Sequence, residues 1–205
     1  MKKYIIIAMA LLFGYCNGYS QENNVVLNYD QLTVGYMHHS IDSGDIDLNA
    51  NGVGLLASAR YSNFVLSIGV GNSWIEDTDA SVLQIGGGVG YVYELSDSMH
   101  LVPSLSLDYE RIHDFEYYYG DSWVFTPSVT LNYAASESLE LSIGVGYSEP
   151  FNTDILGEDF SDYTEGSFSG SVGAEYAISN NLGLVGSVGF SDYQTVIGIG
   201  LSLHY

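Results

Sequence analysis

The closing stretch Tyr193-Gln194-Thr195-Val196-Ile197-Gly198-Ile199-Gly200-Leu201-Ser202-Leu203-His204-Tyr205 alternates two kinds of side chain without a slip. Tyr193, Thr195, Ile197, Ile199, Leu201, Leu203 and Tyr205 fall on one face. Gln194, Val196, Gly198, Gly200, Ser202 and His204 fall on the other. A period of two is the signature of a β-strand whose two faces meet different environments. The pattern recurs upstream. Leu101, Leu105, Leu107 and Tyr109 oppose Ser104, Ser106, Asp108 and Glu110, and Leu182, Leu184, Val188 and Phe190 oppose Gly183, Ser187, Gly189 and Ser191.

Read this way, the chain holds ten strand segments, at 27–38, 52–61, 63–74, 81–94, 100–112, 122–133, 139–148, 167–178, 181–190 and 193–205. Each reaches the roughly 9–11 residues that a tilted strand needs to cross a bilayer. Short turns alternate with longer connections at 39–51, 75–80, 113–121 and 149–166, with Ser191-Asp192 as a short fifth. Such asymmetry is expected of an outer-membrane barrel, with short periplasmic turns and longer extracellular loops. An even strand count returns both termini to the periplasmic side. Pro103 and Pro127 fall inside segments, where a residue without an N–H predicts a bulge or a local break.

The small-residue face carries few charges. A soluble sandwich would need many charged groups there, and a lipocalin-type barrel would turn its apolar face inward. Unpaired strand edges in lipid cost several kcal/mol per group, so ten such strands are stable there only as a closed ring. The expected fold is therefore all-β: a closed antiparallel up-and-down transmembrane barrel of about ten strands, with eight as the alternative. Aromatics flank the apolar face, as lipid headgroup regions favour. Tyr91, Tyr133 and Tyr176 (with Phe64, Tyr93 and Tyr205) mark one belt, and Tyr36, Trp74, Tyr109, Trp123, Tyr147, Phe190 and Tyr193 (with Phe125 and Phe168) the other.

Composition agrees. The chain has 205 residues, 46% hydrophobic, with 24 Gly and a formal charge of −21 from 4 basic and 25 acidic side chains. That apolar content excludes disorder. The shortage of Lys and Arg excludes a nucleic-acid partner. One Cys excludes zinc fingers and disulfide frameworks. No cofactor motif is present, and no cofactor is expected. Lys2-Lys3, the apolar run Tyr4–Phe13 and the small residues Gly18 and Ser20 predict a secretory signal over 1–20, cut before Gln21. A lipoprotein signal at Cys16 is the alternative, disfavoured by the bulky Tyr15. Residues 21–205 then form one barrel domain, with Arg60 and Arg111 as its basic residues.

The signal, the aromatic-belted alternating strands and the run Val196–Tyr205 resemble the small Gram-negative outer-membrane barrels of the OmpA/OmpX-like superfamily. The resemblance is architectural and carries no catalytic motif. It implies a cell outer-membrane location and a C-terminal aromatic, here Tyr205, read by the barrel-insertion machinery. Members of that family most often have eight strands.

Parity gathers Arg60, Glu94, His100, Glu140, Glu175 and His204 on the lumen face near the short-turn end. They would form an internal salt-bridge plug centred on Arg60, since buried charges must be paired, or alternatively a proton-sensitive gate. Asp108 and Glu110 point inward without a basic partner in parity and would make an open pore cation-preferring. Acids concentrate in the longer connections. Asp42, Asp45 and Asp47 form the densest group, a weak divalent-cation candidate without EF-hand spacing, or simply a solvated anionic surface. Phe115 and Tyr117–Tyr119 would rest on the lipid interface or anchor a partner. Arg111, on the outward parity, could meet a lipopolysaccharide phosphate, other anionic lipid being bridged by divalent cations. His38-His39-Ser40 invites an enzyme reading, but the two His point to opposite faces and no signature surrounds Ser40. The expected role is structural or surface-interacting, with acidic loops displayed. A narrow cation-preferring channel is the alternative, and an envelope-lipid enzyme a distant third.

Overall fold

The computed structural model describes residues 27–42, 47–115, 118–155, 158–159, 166–192 and 194–205. The expected signal over 1–20, Asp45, Tyr117 and Tyr193 lie outside the described residues. Ten strands make up the wall: β1 (Gln31–Asp42), β2 (Asp47–Tyr61), β3 (Phe64–Ile75), β4 (Ser81–Tyr91), β5 (Met99–Phe115), β6 (Tyr118–Ser136), β7 (Leu139–Ile155), β8 (Ser167–Ser179), β9 (Leu182–Ser191) and β10 (Gln194–His204). Each pairs antiparallel with its neighbours in sequence, and β10 pairs with β1 from Gln194↔Ile41 to His204↔Gln31. The ring is closed, so no strand edge is left unpaired. Two short pieces belong to these strands. Tyr93–Ser96 prolongs β4, and Glu158–Asp159 folds back on the tip of β7.

The wall is inside out relative to a water-soluble protein. Val34, Leu66, Ile68, Ile143, Val145 and Ile199 are each more than half exposed on its outer surface. Only hydrocarbon makes such a surface stable, because a contiguous apolar girdle of this extent is not tolerated in water. Rings cluster toward both rims. Phe64 meets Tyr91 edge-on at 5.1 Å between centroids near the short turns, and Tyr109–Trp123 (5.3 Å) and Tyr147–Phe168 (4.9 Å) pack at the opposite end.

Serine shapes three of the four short turns. In Ser96-Asp97-Ser98 and Ser136-Glu137-Ser138 the first hydroxyl accepts the N–H two residues on, at 3.3 Å in each. Ser179 does the same for Asn181 at 3.5 Å. This local bond stands in for a ladder bond where the chain reverses. In the fourth turn Ser62 takes a positive φ of 58°.

The prolines act as local breaks. Pro103 pairs in register with Val129 on one side. On its other side the β4 ladder with β5 is interrupted between Gly90↔Ser104 and Tyr93↔Leu101, while the Val92 N–H donates across the opposite edge to the Asn63 carbonyl at 2.7 Å. The β6–β7 ladder likewise has a gap between Phe125↔Glu149 and Ser128↔Gly146, across Thr126 and Pro127, with its register unchanged.

The strands run further than the alternation predicted at the end opposite the short turns. β1 and β2 pair out to Asp42↔Asp47, β5 and β6 to Phe115↔Tyr118, and β7 continues to Ile155. Much of the expected loops at 39–51, 113–121 and 149–166 is therefore strand. The apolar alternation of the outer face exists only where that face touches lipid; beyond that level the outer face turns polar and the period-two signal fades. The opposite error occurs at the start. The segment expected as strand from residue 27 pairs with its barrel neighbours only from Gln31, and residues 27–30 turn into the barrel.

Candidate functional site

The lumen is filled at the short-turn end by the chain that precedes β1. Tyr29 is completely buried and Leu27 is buried beside it. The Tyr29 ring packs with Val65, Val92 and Val102, inward side chains of the wall. It also lies parallel to His100, with centroids 6.0 Å apart, and Arg60 Cζ sits 5.7 Å from its centre. Its hydroxyl lies 3.1 Å from His100 Nδ1 and accepts from Asn132 Nδ2 at 3.5 Å. Burial pushes the phenol well above its ordinary pKa, so it stays protonated and neutral.

The backbone of this segment is tied as firmly as the ring. The Leu27 N–H donates to Glu140 Oε2 at 3.1 Å, and Ser58 Oγ donates to the Tyr29 carbonyl at 2.9 Å. The Arg60 N–H donates to Asp30 Oδ1 at 2.7 Å, and Asp30 N–H to Asn28 Oδ1 at 2.8 Å. The last of these bonds is an Asx turn that reverses the chain just before β1. Leu27 adopts a left-handed φ of 68°, a conformation costing about 1–2 kcal/mol for an L side chain. Burial of its side chain offsets that cost.

The six residues gathered by parity do meet here, but their arrangement differs from a cluster centred on Arg60. Arg60 Nη2 bonds Glu94 Oε1 at 2.7 Å at the rim, where the Glu94 side chain is 55% exposed. Arg60 Nε donates to the Ser62 carbonyl at 2.6 Å. Glu175 and His204 form a second pair, Oε1 to Nε2 at 2.6 Å, and Ser202 Oγ donates to the same carboxylate oxygen. Glu140 is buried and holds the Leu27 backbone. The centre of the plug is thus the Tyr29 phenol, with the charged groups arranged around it. The reason is geometric: a rigid ring fills a narrow lumen, whereas a guanidinium reaches the water at the rim.

Above the plug the lumen is lined by small and short polar residues. A cavity of about 80 Å³ lies there, bounded by Met37, Leu56, Glu140, Ser142, Glu175 and Val196 among others. Asp108 and Glu110 both turn inward from β5 and are buried, as parity predicted. Asp108 accepts from Ser106 Oγ at 2.9 Å. Its carboxylate lies across Gly86 of β4, where an added Cβ would collide with Oδ1.

Toward the far end the inner wall carries an aliphatic cluster of Ile41, Ala50, Ile75, Ala80 and Val82. His39 is buried below it, with Nδ1 2.8 Å from Gln194 Nε2 and Nε2 3.4 Å from Ser73 Oγ. His38 lies on the other face of β1, 3.0 Å from Asn51 Oδ1. Asn51 also accepts from the Tyr36 hydroxyl and donates to Glu76 Oε1 at 2.7 Å. Ser40 is exposed, and the two imidazoles flanking it in sequence diverge. Asp42 and Asp47 face each other across the β1–β2 ladder, but the position of Asp45 between them lies outside the described residues. Arg111 is exposed at the outer rim, in register with Asp121. Tyr205 is 68% exposed on the outer face, and its hydroxyl donates to the Ser58 carbonyl at 3.0 Å.

Sequence reasoning missed Leu27, Tyr29, Asp30 and Asn132. One signal was present: Tyr29 shares the inward parity of Gln31 and Thr33, an odd place for a large ring on a face otherwise made of small residues.

A closed antiparallel ring with an apolar exterior, aromatic rims and a polar interior defines an outer-membrane β-barrel. Solved barrels share this fold. The chain aligns with the NanC porin at a TM-score of 0.53 and 11% identity, over 85% of this chain and 100% of that one. The COG4313 outer membrane channel from Pseudomonas putida F1 aligns at 0.54 and 12%, over 84% and 95%. The beta domain of the Bordetella autotransporter BrkA aligns at 0.53 and 9%, over 86% and 99%. At these identities the likeness is one of fold. No family model matches the chain, and no curated protein matches its sequence.

Proposed function

We propose that this protein is a sealed integral barrel of the Gram-negative outer membrane whose role is structural and surface-interacting rather than solute transport. The observation that carries the reading is the plug: Tyr29 and Leu27 fill the short-turn end of the lumen and are hydrogen-bonded to three strands of the wall. In this reading the short turns and both termini face the periplasm, and the long hairpins carry their Asp and Glu residues outward. Lipid and lipopolysaccharide are its surroundings, with Arg111 as a phosphate contact and divalent cations bridging the acidic rim to anionic headgroups. Tyr205 serves the barrel-insertion machinery as the terminal aromatic, in keeping with the resemblance to OmpA/OmpX-like barrels. The protein is not an enzyme on this account, which the divergence of His38 and His39 supports. Planar-bilayer recording tests it. The refolded barrel should give no steady current, whereas a stable conducting state would refute the seal.

The second reading is a narrow cation-preferring channel. It is favoured by the inward, buried Asp108 and Glu110 and by the shared fold with a porin and an outer membrane channel. On this reading the Leu27–Asp30 segment is a gate, and current should be steady, cation-selective and reduced by Glu110→Gln.

A further inference from the structure

The plug is held by three groups whose hydrogen bonds can run in either direction. The Tyr29 hydroxyl stands 3.1 Å from His100 Nδ1 and 3.5 Å from Asn132 Nδ2. His100 and Asn132 are register partners on β5 and β6, and both are buried. In the observed arrangement the amide donates to the phenol, and the phenol proton goes to a bare imidazole nitrogen. That describes a neutral His100. Asn132 Oδ1, at the other corner of the same amide, is buried and has no hydrogen-bond partner among the described residues. Native interiors rarely leave such an acceptor idle. A half-turn of the amide exchanges its oxygen and nitrogen. The phenol then donates to Oδ1, and its own oxygen accepts from an Nδ1–H of His100. A neutral imidazole satisfies either direction through its two tautomers, whereas an imidazolium satisfies only the second. The charged groups around the three come from every side. Glu94, the register partner of His100, is exposed at the rim and favours an imidazolium there. Arg60 opposes it, but is bonded to the same Glu94 carboxylate. Glu140 of β7 acts on the phenol and accepts the Leu27 N–H. Asp30 accepts the Arg60 N–H, and Glu175 and His204 bond each other.

We propose that His100, Tyr29 and Asn132 form a reversible hydrogen-bond relay that keeps the plug seated whether or not the imidazole is protonated, with Asn132 as the positioning residue that makes reversal possible. In the neutral state the bonds run from Asn132 Nδ2 through the phenol to His100 Nδ1. In the acid state they run from His100 Nδ1 through the phenol to Asn132 Oδ1. The number of bonds is the same in both, so the Tyr29 ring stays in place while a proton enters. The relay rests on the sealed reading of the barrel only where conductance is the readout.

The test compares refolded full barrels from about pH 8 down to about pH 5, the range in which imidazoles commonly titrate. Heat-modifiable gel migration checks that each is folded. Wild type should stay silent in planar bilayers throughout. Asn132→Leu keeps the bulk of the side chain and removes both amide atoms. It should be silent at the alkaline end, where the phenol still donates to a bare Nδ1. At the acid end it should leak, because the phenol proton is deprived of Oδ1. Adding His100→Gln, which does not titrate, should abolish that leak. In urea the unfolding constants of Asn132→Leu and wild type should diverge as pH falls, by up to about tenfold per pH unit, the limit for one proton. Nitrogen-15 NMR of wild type, which needs no variant, should show the Asn132 side-chain amide changing at the same midpoint as the His100 ring. An amide signal indifferent to His100 would overturn the relay. So would an Asn132→Leu barrel that matches wild type at every pH, or one whose loss is equal at both ends of the range, which marks packing alone. A wild type that leaks only in acid would also overturn it. A wild type that conducts already at the alkaline end would refute the sealed reading instead, and the urea and NMR comparisons would still decide the relay.

Discussion

The two ends of the lumen are lined by different chemistry. At the short-turn end there is an insert: the Tyr29 ring, from outside the sheet, with its hydroxyl beside His100 and its segment tied through the Leu27 N–H to the buried Glu140. At the far end the inner wall itself carries an aliphatic cluster, where Ile41, Ala50, Ile75 and Val82 lean together with Ala80 of the β3–β4 connection. An insert fixed by directional bonds is removable in principle, and a wall of aliphatic side chains is not. The difference places any capacity for opening at the short-turn end.

Four substitutions sharpen that contrast, in descending order of effect. Tyr29→Ala should destabilise the barrel most, by about 3–5 kcal/mol as for other buried aromatics, and should convert a silent bilayer record into a leaking one. Urea unfolding and conductance of the same preparation measure both. If the variant stayed silent, the far-end cluster would be the true seal. Glu175→Gln removes the charged partner of His204 and of the Ser202 hydroxyl, and should cost about 1–3 kcal/mol with no current. Ile41→Val trims one methyl from the aliphatic end and should cost about 0.5–1.5 kcal/mol, again without current. Glu94→Gln should shift the urea midpoint least, by under about 1 kcal/mol, because that pair stands in water at the rim. A large loss there would mean that Arg60 anchors the plug mainly through Glu94 rather than through its packing on Tyr29.

The barrel class and its ten strands were legible because lipid imposes a rule on every second residue. Ile197, Ile199 and Leu201 have to be apolar, and the reader of the chain sees the same alternation that the bilayer enforces. Parity then carried Arg60, His100, Glu140, Glu175 and His204 to the same end of the lumen, and Asp108 and Glu110 to its interior. What parity cannot give is which of several inward groups occupies the axis. Arg60 drew attention as a rare cation, yet the axis is taken by Tyr29, whose role depends on a chain reversal made by Asn28 and Asp30. Strand length failed for a related reason. Once β5 and β7 rise above the hydrocarbon, nothing distinguishes their polar outer faces from a loop.

Tyr205 carries a consequence for assembly. Its backbone N–H donates to the carbonyl of Asp30 at 3.1 Å, so the end of β10 clasps the foot of the cork. The strand that closes the ring onto β1 follows the other nine in the chain. Until it docks, the Asp30 carbonyl lacks this donor, and the cork has no finished tube to stop. A half-assembled sheet is therefore an open one, and the cork gains its final tie only as the cylinder is completed.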